Sequence, residues 1–541
     1  MNIFDADFWK ELFSFAVVIG VIVLIIIFWS AIREFLVRCL YFLEDHTSGY
    51  TKVRTKMMEA KRILVWELSD QNPWGANNEP PLEIGKFGED IESDVLQLPG
   101  RYRTTHMYVV GASGSGKSSL LMNFIIQDIS NDMGVCVIDP HGDLIKGVIP
   151  FLGDRIKDTF ILDMEDMDHM LAYNPLERRE GVLIAEQVAK LLLAFKRIWE
   201  DMWGPRMEDI LRNTLALLIE HDYTFAEFEK VLTDADFRRS LLEKTNQDQV
   251  REYFKNRFNN WSPQDRAFNI ESSLNKVSAF MADGRIGARL AQKKSSFNIK
   301  HIMDTRGILL INLAKGKLAI NADLFGALIM SDIEMSFLAR KIEERFPFAL
   351  YVDEFQNIAT DSFGTVLAEA RKFALCLTMA HQSLKQLDEK LISLILSNAQ
   401  TQIYFRTSRQ DAERLSKETE NIVKAMMDQE VDLLQVQQKK FTLQELWEIA
   451  FYNLSRLEFR QAYVMIKGAM SHPEMIKTLD NPLGMDIDFP YDDKYSSLSL
   501  LEGNVKRRRN EIEIMLKERM KPKPKKETQE QETPEDLEFL N

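Results

Sequence analysis

The 541-residue sequence predicts an α/β fold with a mainly parallel β-sheet, an inserted all-helical domain and one N-terminal transmembrane helix. Apolar runs alternate with helical patterns between 101 and 180, purely helical periodicity follows from 181 to 300, and apolar runs resume after 301. Buried strands separated by helices are typical of a parallel sheet covered on both faces. The composition, 45% apolar and 28% charged, is that of a folded protein with room for several domains.

Seven apolar runs are predicted as the strands of this sheet. They are Met107–Val110, Gly134–Asp139, Thr159–Asp163, Gly307–Leu313, Phe348–Val352, Leu375–Met379 and Thr401–Phe405. Val182–Phe195 and Met207–Ile219 place apolar residues at helical spacing and are predicted as helices of the insertion. The sheet is therefore split in sequence by the helical segment.

Residues 12–29 contain no charged side chain and are long enough to span a bilayer. Acidic residues precede this run, and basic residues follow it from Arg33 to Arg62. Because cytoplasmic flanks carry an excess of Lys and Arg, we predict a single-pass anchor in the inner (plasma) membrane, with the C-terminal part of the chain in the cytoplasm. The alternative is a buried core helix. Cys39, Cys136 and Cys376 are widely spaced in sequence, which agrees with a reducing compartment.

The segment 111–118 fits the pattern G-x-x-x-x-G-K-[ST], the phosphate-binding loop of P-loop NTPases. A predicted strand precedes it and a predicted helix follows it, as this loop requires. Lys117 is expected to reach the β- and γ-phosphates of ATP, and Ser118 is expected to hold Mg²⁺. A Gly-rich turn before an ordinary helix is the alternative. The predicted nucleotide-binding residues are Gly111, Ser113, Gly114, Ser115, Gly116, Lys117, Ser118 and Ser119.

The apolar run 348–352 ends in two carboxylates, Asp353 and Glu354, which is the Walker B arrangement. Asp353 is predicted to complete the Mg²⁺ shell with Ser118, and Glu354 to orient or deprotonate the attacking water. The run that ends in Asp139 competes with it but lacks a second carboxylate. A capping or turn role is the alternative for Asp139.

Other polar residues are candidates for roles near the nucleotide. Gln382 follows an apolar run and is predicted to sense the γ-phosphate or position water, unless it is an exposed strand-end glutamine. Arg371 is the candidate arginine finger toward a neighbouring subunit, with Arg406 and Arg409 as further candidates; a surface ion pair is the alternative for each. His141 is expected to be a loop residue near the nucleotide rather than a metal ligand.

The net charge of −14 argues against a protein that coats nucleic acid through bulk charge. Residues 251–300 nevertheless hold ten Lys or Arg against four Asp or Glu, a local net charge of +6. Segment 251–258 interleaves basic and aromatic residues, which suits either a groove that tracks a nucleic-acid strand or an amphipathic helix with its aromatics in the core.

Together, these motifs resemble the coupling-protein branch of the HerA–FtsK ATPases, the TraG/TraD-like proteins of conjugation and type IV secretion. Segments 102–118, 138–144, 353–357, 367–372 and 381–382 carry the resemblance, with support from 203–208 and 311–316. It implies a RecA-like P-loop NTPase fold and a membrane-anchored homo-hexamer that pumps DNA, or a DNA–protein conjugate delivered with a relaxase-type protein, toward a secretion channel. The same resemblance gives Arg371 the finger role and Gln382 the sensor role.

The sequence departs from that family pattern at both ends. Family members commonly have two membrane spans where this chain has one predicted span, and its charged tail lacks a recognisable substrate-reading domain. These differences leave open a secretion-assembly ATPase that acts on proteins. A third reading is a membrane receptor that binds ATP without hydrolysis, although the intact acid pair argues against it.

These patterns divide the chain into six parts. We expect a membrane anchor and juxtamembrane helix at 1–46 and a stalk leading into the nucleotide-binding domain at 47–100. The ATPase domain occupies 101–180 and 301–480, on either side of the all-helical domain at 181–300. A C-terminal extension with a disordered charged tail occupies 481–541.

Overall fold

The computed structural model describes residues 79–87, 95–342, 345–359, 363–418, 443–470 and 473–480. The predicted span at 12–29, the juxtamembrane helix and the tail from 481 lie outside these ranges. Across these ranges, no helix combines the length and the apolar character that crossing a membrane requires.

A single sheet of eleven strands organises the described chain, in the order β2-β1-β11-β10-β9-β3-β8-β7-β4-β6-β5. The strands from β9 to β5 in this order are parallel, and all seven predicted strands lie among them. Antiparallel pairing adds the other four strands at the β9 side. The bounds are β1 Leu82–Lys86, β2 Val95–Leu98, β3 Met107–Val110, β4 Gly134–Asp139, β5 Thr159–Asp163, β6 Ile308–Asn312, β7 Phe348–Val352, β8 Leu375–His381, β9 Thr401–Tyr404, β10 Gln461–Ile466 and β11 Glu474–Thr478.

The parallel strands are buried on both faces, which explains why they read as continuous apolar runs. In β3, Tyr108 and Val110 contribute to the core on one face, whereas Met107 and Val109 contribute to the core on the other. This alternation follows from the two-residue period of a strand, and each core needs its own cover of helices.

Helices cover the two faces unequally. Helix α1 (Lys117–Ser130) packs on one face, while the helices between β5 and β6 form a layer on the other, together with α12 (Ile320–Leu338). We call the helices α3 to α10 the helical layer. The bounds are α1 Lys117–Ser130, α2 Asp143–Val148, α3 Ile184–Ile198, α4 Pro205–Glu220, α5 Phe228–Thr233, α6 Ala235–Leu242, α7 Asp248–Glu252, α8 Pro263–Ala282, α9 Gly284–Leu290, α10 Ile299–Asp304, α11 Lys315–Leu318, α12 Ile320–Leu338, α13 Phe363–Glu369, α14 Glu389–Asn398, α15 Arg409–Glu418 and α16 Leu443–Arg456.

The basic and aromatic segment of the helical layer has its aromatics in the core. Phe254 and Phe258 are fully buried, on a π-helical turn and the residue that follows it. Half of the ten basic side chains of 251–300 form ion pairs: Arg251–Asp248, Arg257–Asp209, Arg285–Asp283, Lys294–Glu177 and Lys300–Asp304. The structure therefore favours the amphipathic-helix reading of this segment over a stacking groove.

Candidate nucleotide-binding site

The phosphate-binding loop lies between β3 and α1, at the carboxyl edge of the sheet. Gly114 and Gly116 have φ of 69° and 111°, a conformation that favours glycine. A Cβ on Gly116 would lie 3.1 Å from the Cα of Arg460, so there is also little space for a side chain there. The Arg460 backbone N–H donates to the Ser115 carbonyl over 2.9 Å, which ties the loop to β10.

Lys117 is buried at the start of α1, and its ammonium group lies over the loop. The Nζ atom donates to the carbonyl oxygens of Gly111 at 2.5 Å and Ala112 at 3.1 Å. Burial lowers the pKa of Lys117, while Asp353 and Glu354 act in the opposite direction. The cation and the carboxylates of Asp353 and Glu354 therefore share one electrostatic environment.

The remaining loop residues leave the surface open where a ligand would approach. Ser113, Gly114 and Ser118 are exposed, and Ser119 is half-buried. The hydroxyl of Ser115 is buried and has no hydrogen-bond partner within the described ranges. A buried, unpartnered hydroxyl on a cradle of glycines fits an oxyanion ligand at this loop.

Asp353 and Glu354 follow β7 at the same edge of the sheet. Burial raises the pKa of Asp353 to about 6, with Asp139 acting in the same direction and Lys117 against it. A half-buried carboxylate next to another carboxylate is a strong candidate for a cation ligand, because a divalent ion removes the repulsion.

Glu354 is held by three neighbouring side chains. Gln382 donates from Nε2 to Glu354 Oε1 over 2.7 Å, and Asn357 donates from Nδ2 to Oε2 over 3.2 Å. The His141 Nε2 atom lies 3.5 Å from Oε1. Glu354 itself has a φ of 45°, a left-handed conformation that costs about 1 kcal/mol or more for a residue with a side chain. The position of this carboxylate is thus strongly constrained.

Asp139 has a structural task in the same region. Its carboxylate accepts backbone N–H bonds from His141 at 2.9 Å, Leu144 at 2.8 Å and Ile145 at 3.2 Å. It therefore caps the turn into α2, which supports the capping role considered for it. No cluster of three His, Cys, Asp or Glu with metal-binding geometry occurs among the residues that the model describes.

A buried pair lies directly behind Gln382. The Tyr108 hydroxyl and His381 Nε2 are 2.5 Å apart and connect β3, which leads into the loop, with β8. Burial lowers the pKa of His381 to about 3, with the charge of Lys117 acting in the same direction, so the imidazole is neutral at physiological pH.

The candidate arginine finger lies at the other edge of the sheet. Arg371 is exposed and precedes β8, whereas Gln382 follows it. A strand of that length spans about 20 Å, so Arg371 does not reach the loop of its own chain. Arg406, in contrast, contacts that loop, because its carbonyl accepts the N–H of Ala112 at 2.7 Å. Arg409 lies over the ring of Phe451, 5.1 Å from its centroid.

Three contacts of the site were not found from the sequence. Asn357 is three positions after Glu354, a spacing typical of a turn, and this spacing could have indicated the contact between the two side chains. Arg460, the residue before β10, contacts the loop through its backbone N–H, and Arg197 donates to the carbonyl of Gln356 from the end of α3 over 3.3 Å. Both come from distant parts of the chain, so no local pattern marks them.

Two family models match the chain. Residues 82–305 match the central domain of the helicase HerA, and residues 347–423 match a domain described as the TraM recognition site of TraD and TraG. An uncharacterized protein of Aquifex aeolicus is 29% identical over 91 residues, which are 16% of this chain and 33% of that protein. The chain thus covers about a third of the length of this curated relative.

Solved structures show a similar fold. The plasmid coupling protein TrwB in complex with ADP and Mg²⁺ superposes with a TM-score of 0.50 at 18% identity, over 74% of this chain and 95% of that chain. VirB4 of Thermoanaerobacter pseudethanolicus gives a TM-score of 0.46 at 14% identity, over 74% and 97%. The likeness to TrwB shows a shared mixed α/β fold with a large, mostly parallel sheet.

The HerA-type model spans β1 to the helical layer, and the TraG/TraD model spans β7, β8 and β9, so both halves of the split sheet are matched. The Walker A and Walker B segments lie one in each half and meet at one edge. Together, the two matches support a TraG/TraD-like protein of the HerA–FtsK superfamily.

Proposed function

We propose that this protein is a membrane-anchored ATPase that couples DNA, or a DNA–protein conjugate, to a type IV secretion or conjugation channel and moves it through a hexameric ring. The observation that carries the proposal is the convergence of Lys117, Glu354 and Gln382 at one edge of the sheet, with Glu354 bonded to Gln382 at 2.7 Å. A chain that only binds nucleotide has no need of a carboxylate so constrained.

The residues present fit ATP with Mg²⁺. Backbone N–H groups of 111–116 and the start of α1 would hold the phosphates, with Lys117 beside them. Ser118 and Asp353 would hold Mg²⁺, which supplies neutralisation of the charge that develops on the phosphates. The solved TrwB structures were obtained with ADP and Mg²⁺ and with non-hydrolysable ATP and GTP analogues, which supports the same ligand class here.

Glu354 would accept the proton of the attacking water or orient it, since the side-chain amides of Gln382 and Asn357 hold its carboxylate in place. Gln382 directly follows β8 and donates to Oε1 of this carboxylate. It would therefore contact the γ-phosphate and transmit the presence of that phosphate to the position of Glu354. Arg371, on the opposite edge, would complete the site of a neighbouring subunit.

The DNA substrate, the relaxase-type partner and the channel are supported by the TraG/TraD and HerA matches and by the coupling-protein title of the TrwB structure. The uncharged run 12–29, followed by basic residues, supports the inner-membrane anchor. The ring is supported by the position of Arg371, which is exposed and too far from the loop of its own chain to act there.

A protein substrate is the second candidate. Half of the basic side chains of 251–300 pair with carboxylates, and Phe254 and Phe258 are buried, which weakens the case for a basic, aromatic nucleic-acid surface in this segment. An assembly ATPase of the same fold would show hydrolysis that rises with partner proteins.

The decisive experiment is steady-state ATP hydrolysis by the purified full-length chain in detergent or nanodiscs, with single- and double-stranded DNA at low and high salt. A DNA motor predicts stimulation that falls steeply with salt, because phosphate contacts release counterions. Hydrolysis without any DNA response would contradict the DNA motor and favour the assembly ATPase.

A further inference from the structure

Helix α3 of the helical layer ends against the catalytic turn. Arg197, in its last turn, donates from its guanidinium to the carbonyl of Gln356 over 3.3 Å. Gln356 is buried and lies two residues after Glu354. The contact is therefore between the helical layer and the short turn that presents the Walker B glutamate.

Helix α3 is attached to α12 through its middle and through the segment that precedes it. Lys190 forms an ion pair with the buried Glu334 of α12. Arg179, just before α3, makes two bonds to Asp332 of α12, at 2.9 and 2.6 Å. Such charge-assisted, largely buried pairs fix the orientation of α3 relative to α12. The position of Arg197 is therefore determined by the packing of the whole helix.

The turn that Arg197 contacts is what holds Glu354. The backbone N–H of Asn357 donates to the Glu354 carbonyl over 3.0 Å, and its side chain donates to Oε2 over 3.2 Å. Because Glu354 has a left-handed backbone, its conformation persists only while surrounding contacts enforce it. A donor bonded to Gln356 stabilises this turn from outside.

Asp323 provides a second link between Arg197 and Glu354, through their charges. Asp323, in the first turn of α12, pairs with Lys315 at 2.9 Å. Burial raises the pKa of Asp323, Glu354 acts in the same direction and Arg197 in the opposite one. Asp323 is thus close enough to both residues to respond to their charges, which places Arg197 in the electrostatic surroundings of the catalytic carboxylate.

We propose that Arg197 is a positioning residue through which the helical layer holds Glu354 in its working geometry. This rests on the proposed ATPase function and names the element that regulates it. A movement of α3 would move Gln356 and Asn357, and would thereby turn the carboxylate away from water without disturbing the phosphate-binding loop.

The test compares Arg197→Ala and Arg197→Lys with Lys196→Ala, an exposed neighbour on the same helix. Full-length proteins are assayed for kcat, KM and affinity for a fluorescent ATP analogue. We expect Arg197→Ala to lower kcat about tenfold with nucleotide affinity within twofold, since small displacements of a reacting group are costly. Arg197→Lys should recover part of this loss, and Lys196→Ala should match the wild type.

A double variant separates positioning from general damage. In a Glu354→Gln background, Arg197→Ala should lower the residual rate by less than twofold, because the residue it positions is already inactive. A full tenfold loss there, an equal loss of nucleotide affinity, or wild-type kcat in Arg197→Ala would each overturn the inference. Absence of hydrolysis in the wild type itself would instead contradict the proposed function.

Discussion

The two edges of the parallel strands differ in what they can do alone. At the carboxyl edge, Lys117, Asp353 and Glu354 come together within one chain, and Gln382 is bonded to the glutamate. At the amino edge, Arg371 is exposed and about 20 Å of strand separates it from those groups. The carboxyl edge therefore gathers the candidate site within one chain, and under the proposed function the amino edge would complete the site of another copy.

The amino edge also shows how a charged residue can be purely structural. Arg103 is buried there and bonds to Asp128 at 2.5 and 2.6 Å, while the Tyr351 hydroxyl donates to the same carboxylate at 2.6 Å. Every charge in this network has a partner, whereas the carboxyl edge keeps Asp353 with its pKa raised by burial. A buried carboxylate whose pKa is raised, such as Asp353, is typical of a functional site, and it lies at the carboxyl edge.

The largest expected effect is on nucleotide binding. Lys117→Ala should weaken the binding of an ATP analogue by about 100-fold or more, since it removes the only loop cation among the described residues 111–119. Isothermal titration with Mg²⁺ present measures this. Lys372→Ala, an exposed lysine at the amino edge that pairs with Glu369, is the matched control and should bind normally. An equal loss of affinity for the ATP analogue in both variants would contradict a nucleotide site at the carboxyl edge alone.

Glu354→Gln should keep nucleotide binding and lower kcat by about 100- to 1,000-fold, because the amide cannot accept the proton of water. Glutamine has the same size and shape as glutamate, so the variant separates the effect on nucleotide binding from the effect on turnover. Glu369→Gln, at the amino edge, serves as the control and should retain activity. Wild-type turnover in Glu354→Gln would show that the Walker B assignment is wrong.

Gln382→Ala should have a smaller effect, about tenfold on kcat, because it removes one bond to an ionised group while Asn357 still holds the other oxygen. Single-turnover hydrolysis at saturating ATP isolates the chemical step. Gln386→Ala, which affects only the local cap at Ser383, is expected to leave that step unchanged. A Gln382→Ala protein that loses nucleotide affinity instead would argue for direct ligand contact.

The buried pair behind the site predicts a pH effect on stability. The pKa of His381 is lowered to about 3 in the folded chain, so the unfolded chain binds the proton more readily below about pH 6.5. The free energy of unfolding should therefore decrease as the pH is lowered, by about 2 kcal/mol from this residue between pH 7 and pH 5. Urea unfolding of the wild type and of the Tyr108→Phe/His381→Leu protein tests this. Equal pH slopes in both would contradict the assignment of a neutral, buried imidazole.

The parallel half of the fold was predictable, and the antiparallel half was not. Strands such as β4 and β7 are buried on both faces and read as unbroken apolar runs. Strand β11 alternates buried and half-buried positions and contains Lys477, so its sequence does not stand out from the charged segments around it. Strands β1 and β2 are short and fall in the segment predicted as a stalk.

The same reasoning applies to the site. Sequence motifs identify Lys117 and Glu354 because each lies next to its strand, and strand direction brings them to one edge. The bond from Gln382 to Glu354 follows from adjacent strands β7 and β8 and was anticipated only as a role near the γ-phosphate. Arg460 and Arg197 depend on tertiary packing alone and could not have been predicted.

Complementation between subunits is the direct test of the proposal that the amino edge of one copy completes the carboxyl edge of another. Glu354→Gln subunits keep Arg371, and Arg371→Ala subunits keep the whole carboxyl edge. Co-assembled in equal amounts, with co-purification of two tags as evidence of mixing, the inactive variants should regain about a quarter of wild-type ATP hydrolysis, the share of random interfaces with both groups intact. Mixed assemblies that stay as inactive as either parent would contradict a site shared between copies.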